Sequence, residues 1–290
     1  MSARSRLLLS LLLLCEIPLA GAFSLPFSNN DPLKDVPKVS TGAATAQVLG
    51  QTFTIESKIL KETWRINVYT PPACASVACP ALYMADGGIN EDFIHIAGLV
   101  QVGTSNNTMR PFLLVGVENT ERRRDLTPPT DVAEDRRIAP RVGGSALFRQ
   151  FFRDELKLAI QARYNTTQES AIVGESLAGL FIVETLLVEP KLFDTYIAIS
   201  PSLWWNDQAL PKATAAAMKA HPDLRATLYL SQGSDSSERP GMDALVAALK
   251  ASAPAGLSWR YEPMPNETHG TIFHPAAMAA FRQLFAPKAP

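Results

Sequence analysis

Short apolar runs, separated by turn residues, recur along the chain from about residue 50. The segments 52–59 and 63–69, with Lys61-Glu62 near the turn between them, predict a hairpin of two antiparallel strands. The later runs are continuously apolar, which is typical of strands buried on both faces of a mainly parallel sheet. Those runs span residues 81–85, 112–117, 171–173, 196–199 and 227–230, and the run 257–264 is the last predicted strand.

Helical patterns lie between these runs. Residues 145–164 place leucine and phenylalanine side chains near one face, and 177–189, 242–251 and 275–285 are further candidates. A hairpin followed by β-α alternation predicts one α/β domain, with a mainly parallel, doubly wound sheet flanked by helices. The segment 118–144 is expected to be a long loop, either a rim of the active site or a solvated surface loop.

Composition adds few constraints. The 290 residues are 47% hydrophobic and 19% charged, which is ordinary for a globular protein of this length. A net charge of -1 gives no reason to expect nucleic acid or an acidic membrane as a partner. We expect no metal or other cofactor, and the pattern specifies no oligomeric state.

The N-terminus has the features of an export signal. Arg4 and Arg6 precede the apolar run 7–14, and Ala20-Gly21-Ala22 offers a small-residue cleavage site. An uncleaved membrane anchor is the alternative, but the apolar run is short for a span. We therefore predict a signal peptide over 1–22, a flexible lead-in over 23–45 and the catalytic domain over 46–287. The mature protein would be periplasmic or secreted, without stable membrane insertion.

Two cysteines, Cys74 and Cys79, remain after the predicted cleavage. They lie between two predicted strands, and in an oxidising compartment an even pair indicates a disulfide. A metal site is less favoured, because no second Cys or His pair of suitable spacing accompanies them.

The main chemical signal is the segment 172–179, Ile-Val-Gly-Glu-Ser-Leu-Ala-Gly. An apolar strand runs into a turn of small residues and a helical pattern follows, which is the setting that gives G-x-S-x-G its meaning. Such a turn lifts the hydroxyl of Ser176 above the sheet and predicts an α/β-hydrolase nucleophile. Ala178 departs from the motif at its second glycine. The alternative is a helix N-terminus without chemistry.

A serine hydroxyl needs a base to take its proton. In this fold the chain order is nucleophile, acid, histidine, and His269 follows the last predicted strand directly before a glycine. His269 is therefore preferred to His274, which precedes Pro275 at a predicted helix start. For the acid we choose Asp235, after the strand 227–230, with Glu238 and Asp243 as alternatives.

Acyl transfer also requires donors for the developing oxyanion. The backbone N–H groups of Leu177 and Gly88 are the predicted pair, with Gly87 as the alternative to Gly88 and an ordinary Asp-Gly turn as the alternative for both. Trp204 is predicted either to stack on an aromatic acyl group or to pack on a loop.

Together these residues resemble the putative-esterase family, which includes esterase D, feruloyl esterases and siderophore esterases. The resemblance covers about residues 45–286 and is strongest to siderophore esterases that cleave ester-linked iron chelators such as enterobactin. It implies a serine carboxylic-ester hydrolase. Relatives usually carry histidine where this chain has Glu175, which leaves the substrate open, and some work as a Ser-His dyad. The matching segments are 81–87, 124–128, 174–180, 192–194, 200–205 and 268–270.

We therefore expect a small-molecule ester as substrate, of siderophore or aryl type. The arginines at 122–124, in particular Arg123 and Arg124, could hold a catecholate or carboxylate of that substrate. A feruloyl esterase or an acyltransferase using the same serine is a near alternative. A non-catalytic binding protein of the same fold is the alternative from another class, and Glu175 and Ala178 favour it.

Overall fold

The computed structural model describes residues 45–287, and the predicted signal peptide and nearly all of the predicted lead-in lie outside that range. An eight-stranded sheet runs through the described part. Its strands are β1 (Gln51–Glu56), β2 (Thr63–Tyr69), β3 (Cys79–Met84), β4 (Leu113–Val117), β5 (Thr166–Glu175), β6 (Thr195–Ile199), β7 (Ala226–Gln232) and β8 (Leu257–Pro263).

The strand order is β1-β2-β4-β3-β5-β6-β7-β8. β1 pairs with β2, and β2 with β4, in antiparallel fashion, whereas every other pairing is parallel. The predicted hairpin and the mainly parallel sheet are therefore both present, and the architecture is that of the α/β hydrolases. Because parallel strands end at the same edge, the loops after β5, β6, β7 and β8 lie together.

Helices cover both faces of the sheet. Side chains of β3 show how the two cores form: Tyr83 packs with the helices on one face, while Leu82 and Met84 pack with α1 and α9 on the other. The helices are α1 (Phe93–Ser105), α2 (Arg122–Asp125), α3 (Ala133–Ile138), α4 (Ser145–Phe151), α5 (Lys157–Arg163), α6 (Leu177–Val188), α7 (Trp205–Ala220), α8 (Arg239–Ser252) and α9 (Phe273–Leu284).

Three segments differ from the prediction in the helices that they contain. The expected long loop at 118–144 contains α2 and α3, which are too short to show a helical period. The expected helix at 145–164 is interrupted by a π-helical segment, Phe152–Leu156, between α4 and α5. α7 was not predicted; left-handed residues at 206–208 and Pro211 break its pattern near its start.

Cys74 and Cys79 form the predicted disulfide. The sulfur atoms of Cys74 and Cys79 are bonded, closing the loop that leads into β3. Among the described residues, no helix is long and apolar enough to cross a membrane.

Candidate active site

Ser176 lies in the turn between β5 and α6, with φ 60° and ψ -120°. A non-glycine residue in this conformation is strained and persists only when its surroundings hold it. The N–H of Ser176 donates to the carbonyl of Ile199 (3.1 Å), and the N–H of Ser202 donates to the carbonyl of Ser176 (3.1 Å). The end of β6 therefore fixes the strained turn that presents the hydroxyl.

Small residues at two positions permit this turn. A Cβ on Gly174 would lie 2.6 Å from the Cβ of Ala178, closer than two carbon atoms approach. Because Gly174 has no side chain, the methyl group of Ala178 fits where the common motif has a second glycine, and Ala178 is buried there. The departure at Ala178 is thus compatible with an intact turn.

The hydroxyl of Ser176 meets the ring of His269. Oγ lies 3.0 Å from Nε2, and the other ring nitrogen, Nδ1, lies 3.0 Å from Oε1 of Glu238 and 3.1 Å from Oγ of Ser200. Glu238 is itself held, because Ser200 Oγ and Gln232 Nε2 donate to its Oε2 (2.8 and 2.7 Å). Serine, histidine and carboxylate therefore form a connected chain, with the arrangement that activates a serine nucleophile.

Asp235, the predicted acid of the triad, does not contact the imidazole ring. Its carboxylate accepts the backbone N–H of His269, because the loop after β7 runs beside the loop after β8, where Ser234 N–H donates to the carbonyl of Glu267 (2.8 Å). Glu238, which directly precedes α8, reaches the ring instead. Asp243, the other alternative, is exposed within α8.

Glu175 brings a second carboxylate to the same ring. Its Oε1 lies 3.2 Å from Nε2 of His269, is buried, and accepts no hydrogen bond from the described residues. Burial raises the pKa of Glu175 to about 7. The hydrogen bond that Nδ1 of His269 donates to Glu238 raises the pKa of His269 above its usual value, and the charge of Glu175 adds to this against the opposing effect of burial.

The predicted oxyanion donors have different surroundings. Leu177 opens α6, so its N–H has no partner within the helix and is available beside Ser176. The N–H of Gly88 instead donates to Oε2 of Glu91 (2.6 Å), and that of Gly87 to the carbonyl of Val117 (2.9 Å). The N–H of Gly88, a predicted oxyanion donor, is therefore engaged by Glu91 in this structure. Gly87 allows close packing on β4, since a Cβ on Gly87 would overlap the backbone of Gly116.

Comparison with known proteins places this geometry in a family. The family model described as "Putative esterase" matches residues 57–268, which include β2 to β8, Ser176 and Glu238. The chain belongs to this esterase family.

Relatives in the family include siderophore esterases. The ferri-bacillibactin esterase BesA of Bacillus subtilis is 33% identical over 165 residues, 50% of this chain and 54% of the relative. The siderophore triacetylfusarinine C esterase of Aspergillus fumigatus is 37% identical over 120 residues, 39% of each. The matches thus span about half the length of these relatives or less. An IroE-like serine hydrolase from Shewanella oneidensis superposes with a TM-score of 0.73 at 26% identity, covering 81% of this chain and 80% of that one.

The arginine cluster of this esterase-family chain is largely engaged with its own carboxylates. Arg122 forms a bidentate pair with Asp86 (2.6 and 2.8 Å). Arg124 pairs with Glu62 (2.6 and 2.8 Å) and with Asp125. Arg123 is exposed and donates to a backbone carbonyl of α3. The prediction that Arg123 and Arg124 bind an anionic substrate group is not supported for Arg124, whose charge is already neutralised.

The two tryptophans after β6 differ in environment. Trp205 is buried, and its Nε1 donates to the carbonyl of Pro128 (3.1 Å), so it packs against the segment 118–144. Trp204 is partly buried, with its ring 5.8 Å from that of Trp205. Packing accounts for Trp205, whereas part of the surface of Trp204 remains exposed.

Two serines were not singled out as catalytic by the sequence. Ser200, buried with φ 42°, bridges Glu238 and the ring of His269. Ser202 Oγ lies 3.4 Å from Ser176 Oγ. Their signal was present in the Ser-Pro-Ser segment directly after β6, the strand beside the nucleophile. Within residues 45–287, no group of His, Cys, Asp and Glu is arranged to hold a metal ion.

Proposed function

We propose that this chain is a serine carboxylic-ester hydrolase that acts on siderophore-type or aryl esters. The observation that carries the proposal is the connected chain Ser176–His269–Glu238 at a strained strand-to-helix turn. Membership of the esterase family supports the reaction type, and the named activities of the siderophore-esterase relatives support the substrate class.

The chemistry follows from the geometry. Ser176 Oγ attacks the ester carbonyl carbon while its proton passes to Nε2 of His269, and Glu238 stabilises the resulting imidazolium. The N–H of Leu177 donates to the oxyanion of the tetrahedral intermediate. Collapse breaks the bond to the alcohol, which leaves with the proton from Nε2. Water then attacks the carbonyl carbon of the acyl-enzyme and gives a proton to Nε2. Collapse of the second tetrahedral intermediate breaks the bond to Ser176 Oγ, which takes the proton back from Nε2 as the acid is released.

The test is hydrolysis of a neutral aryl ester such as phenyl acetate by the wild type and by Ser176→Ala. Removing the nucleophile is expected to lower kcat/KM by at least about 10³-fold. A fluorophosphonate probe should label the wild type at Ser176. A variant that keeps full turnover, or a wild type that stays unlabelled, would contradict the proposal and favour a non-catalytic binding protein.

We further propose that the protein is exported and acts in the periplasm or outside the cell. The Cys74–Cys79 disulfide supports this, because such bonds persist in oxidising compartments. Mass spectrometry of the mature protein tests the proposal, with an N-terminus at Phe23 as the expected result.

A further inference from the structure

The carboxylate of Glu175 lies beside the reacting atoms. Its Oε1 is 3.2 Å from Nε2 of His269, which is 3.0 Å from Oγ of Ser176. Oε1 is therefore within about 6 Å of the nucleophile, close enough for strong charge interactions where water is partly excluded. The triad does not require this carboxylate, because Glu238 already holds the opposite edge of the ring.

The charge of Glu175 is incompletely balanced. The charged groups that act on the pKa of Glu175 are His269, Arg122, Glu238 and Asp86. Arg122 is the fixed cation of this group, and its Nε and Nη2 both donate to the carboxylate of Asp86. Asp235 adds another carboxylate beside the backbone of His269. When His269 is neutral and ready to act as base, the surroundings of Ser176 are negative.

We infer that Glu175 selects the charge of the ester, so that the site favours substrates with a cationic or neutral group near the scissile carbonyl over anionic ones. The inference rests on the proposed function and names its substrate class more narrowly. The carboxylate of Glu175 attracts an ammonium group of the substrate and repels a carboxylate. The difference between these two interaction energies appears as a difference in kcat/KM between the two substrates. The engagement of Arg122 and Arg124 with internal carboxylates points the same way.

The experiment uses three phenyl esters of similar shape. Their acyl groups are 4-(trimethylammonio)butanoate, neutral 5,5-dimethylhexanoate and the monoanion of adipate. For the wild type, we expect kcat/KM for the cationic ester to exceed that for the anionic ester by at least about tenfold. In Glu175→Gln this ratio should fall about tenfold, because the charge disappears while the shape stays. Glu56→Gln, on the exposed edge strand β1, removes the same charge far from the site and should leave the ratio unchanged.

A second measurement uses the wild type alone. The ratio of cationic to anionic kcat/KM should rise as the pH passes through about 7, where Glu175 ionises. Protonation of His269 removes the base and so lowers kcat/KM for all three esters by the same factor, which cancels in the ratio. The charges of the two test groups do not change in this range.

The outcomes separate the two proposals. A ratio that is equal in the wild type and Glu175→Gln, or a wild type that prefers the anionic ester, overturns the inference while Ser176-dependent hydrolysis still supports the esterase. Absence of Ser176-dependent hydrolysis of all three esters overturns the proposed function and the inference with it. If Glu175→Gln does not fold, a pH-independent ratio in the wild type overturns the inference.

Discussion

Replacing Glu238 by glutamine removes a charge with almost no change of shape, and it tests whether this carboxylate supports His269. The Nδ1–Oε1 distance of 3.0 Å puts the charge centres about 4 Å apart, where an effective dielectric constant of about 20 gives about 4 kcal/mol. That energy corresponds to about 10³ in rate. His269 is about one-third exposed and Ser200 Oγ still accepts from Nδ1, so we expect kcat/KM to fall by about 10²–10³.

The assay is kcat/KM for a neutral aryl ester over the pH range 5–9, about two units either side of neutrality. Asp235→Asn is the matched comparison: its amide oxygen still accepts the backbone N–H of His269, so the loss should stay below about tenfold. The thermal midpoint of each variant controls for folding, because Glu238 also binds Ser200 and Gln232. If Glu238→Gln keeps activity within about threefold while Asp235→Asn loses about 10², the reasoning is refuted and Asp235 supports the base.

Three further changes test the site and the fold. In Glu175→Gln, the acid limb of kcat/KM for a neutral ester should move to lower pH, because His269 must be neutral to act and loses a neighbouring charge that raises its pKa. An acid limb that does not move would show that the charge of Glu175 does not act on His269. Gly174→Ala should lower the free energy of unfolding by about 1–3 kcal/mol, because the new methyl group clashes with Ala178. Adding Ala178→Gly should restore part of that free energy in urea unfolding, and no restoration would mean that the strain has another source. Removing the disulfide bond in C74A/C79A should lower the free energy of unfolding by about 2 kcal/mol and lower Tm by about 4–8 °C in calorimetry, with kcat/KM unchanged. A Tm equal to that of the wild type would mean that the bridge adds no stability.

The strands could be predicted because burial on both faces leaves an apolar run in the sequence. β6 and β7 are both interior strands of the sheet, and their predicted cores, 196–199 and 227–230, fall within the observed strands. β5 is longer than predicted, because its first residues, 166–170, are mostly polar and partly exposed. Periodicity registers burial, so it misses the part of a strand that water reaches.

The residues of the site that follow from chain order could be predicted from the sequence. The choice of the acid could not, because it depends on how far each side chain reaches. Ser176 and His269 follow strands that end at one edge, and the structure brings them within 3.0 Å. Asp235 and Glu238 both follow β7, three residues apart. Which of them meets the ring depends on the turn into α8 and on the neighbouring loop at 267–269, and neither is encoded in a local pattern.

Position 175 can change the chemistry of this site without disturbing its backbone. The turn depends on the small residues Gly174 and Ala178 and on hydrogen bonds from the end of β6, none of which involves the side chain of Glu175. That side chain nevertheless reaches Nε2 of His269, the nitrogen that exchanges protons with Ser176. A substitution at 175 therefore alters the charge at the reacting atoms while the nucleophile stays in place. For this reason the turn specifies the class of reaction, whereas the residue preceding the nucleophile affects the pH range of activity and the charge that the site prefers in its ester substrate.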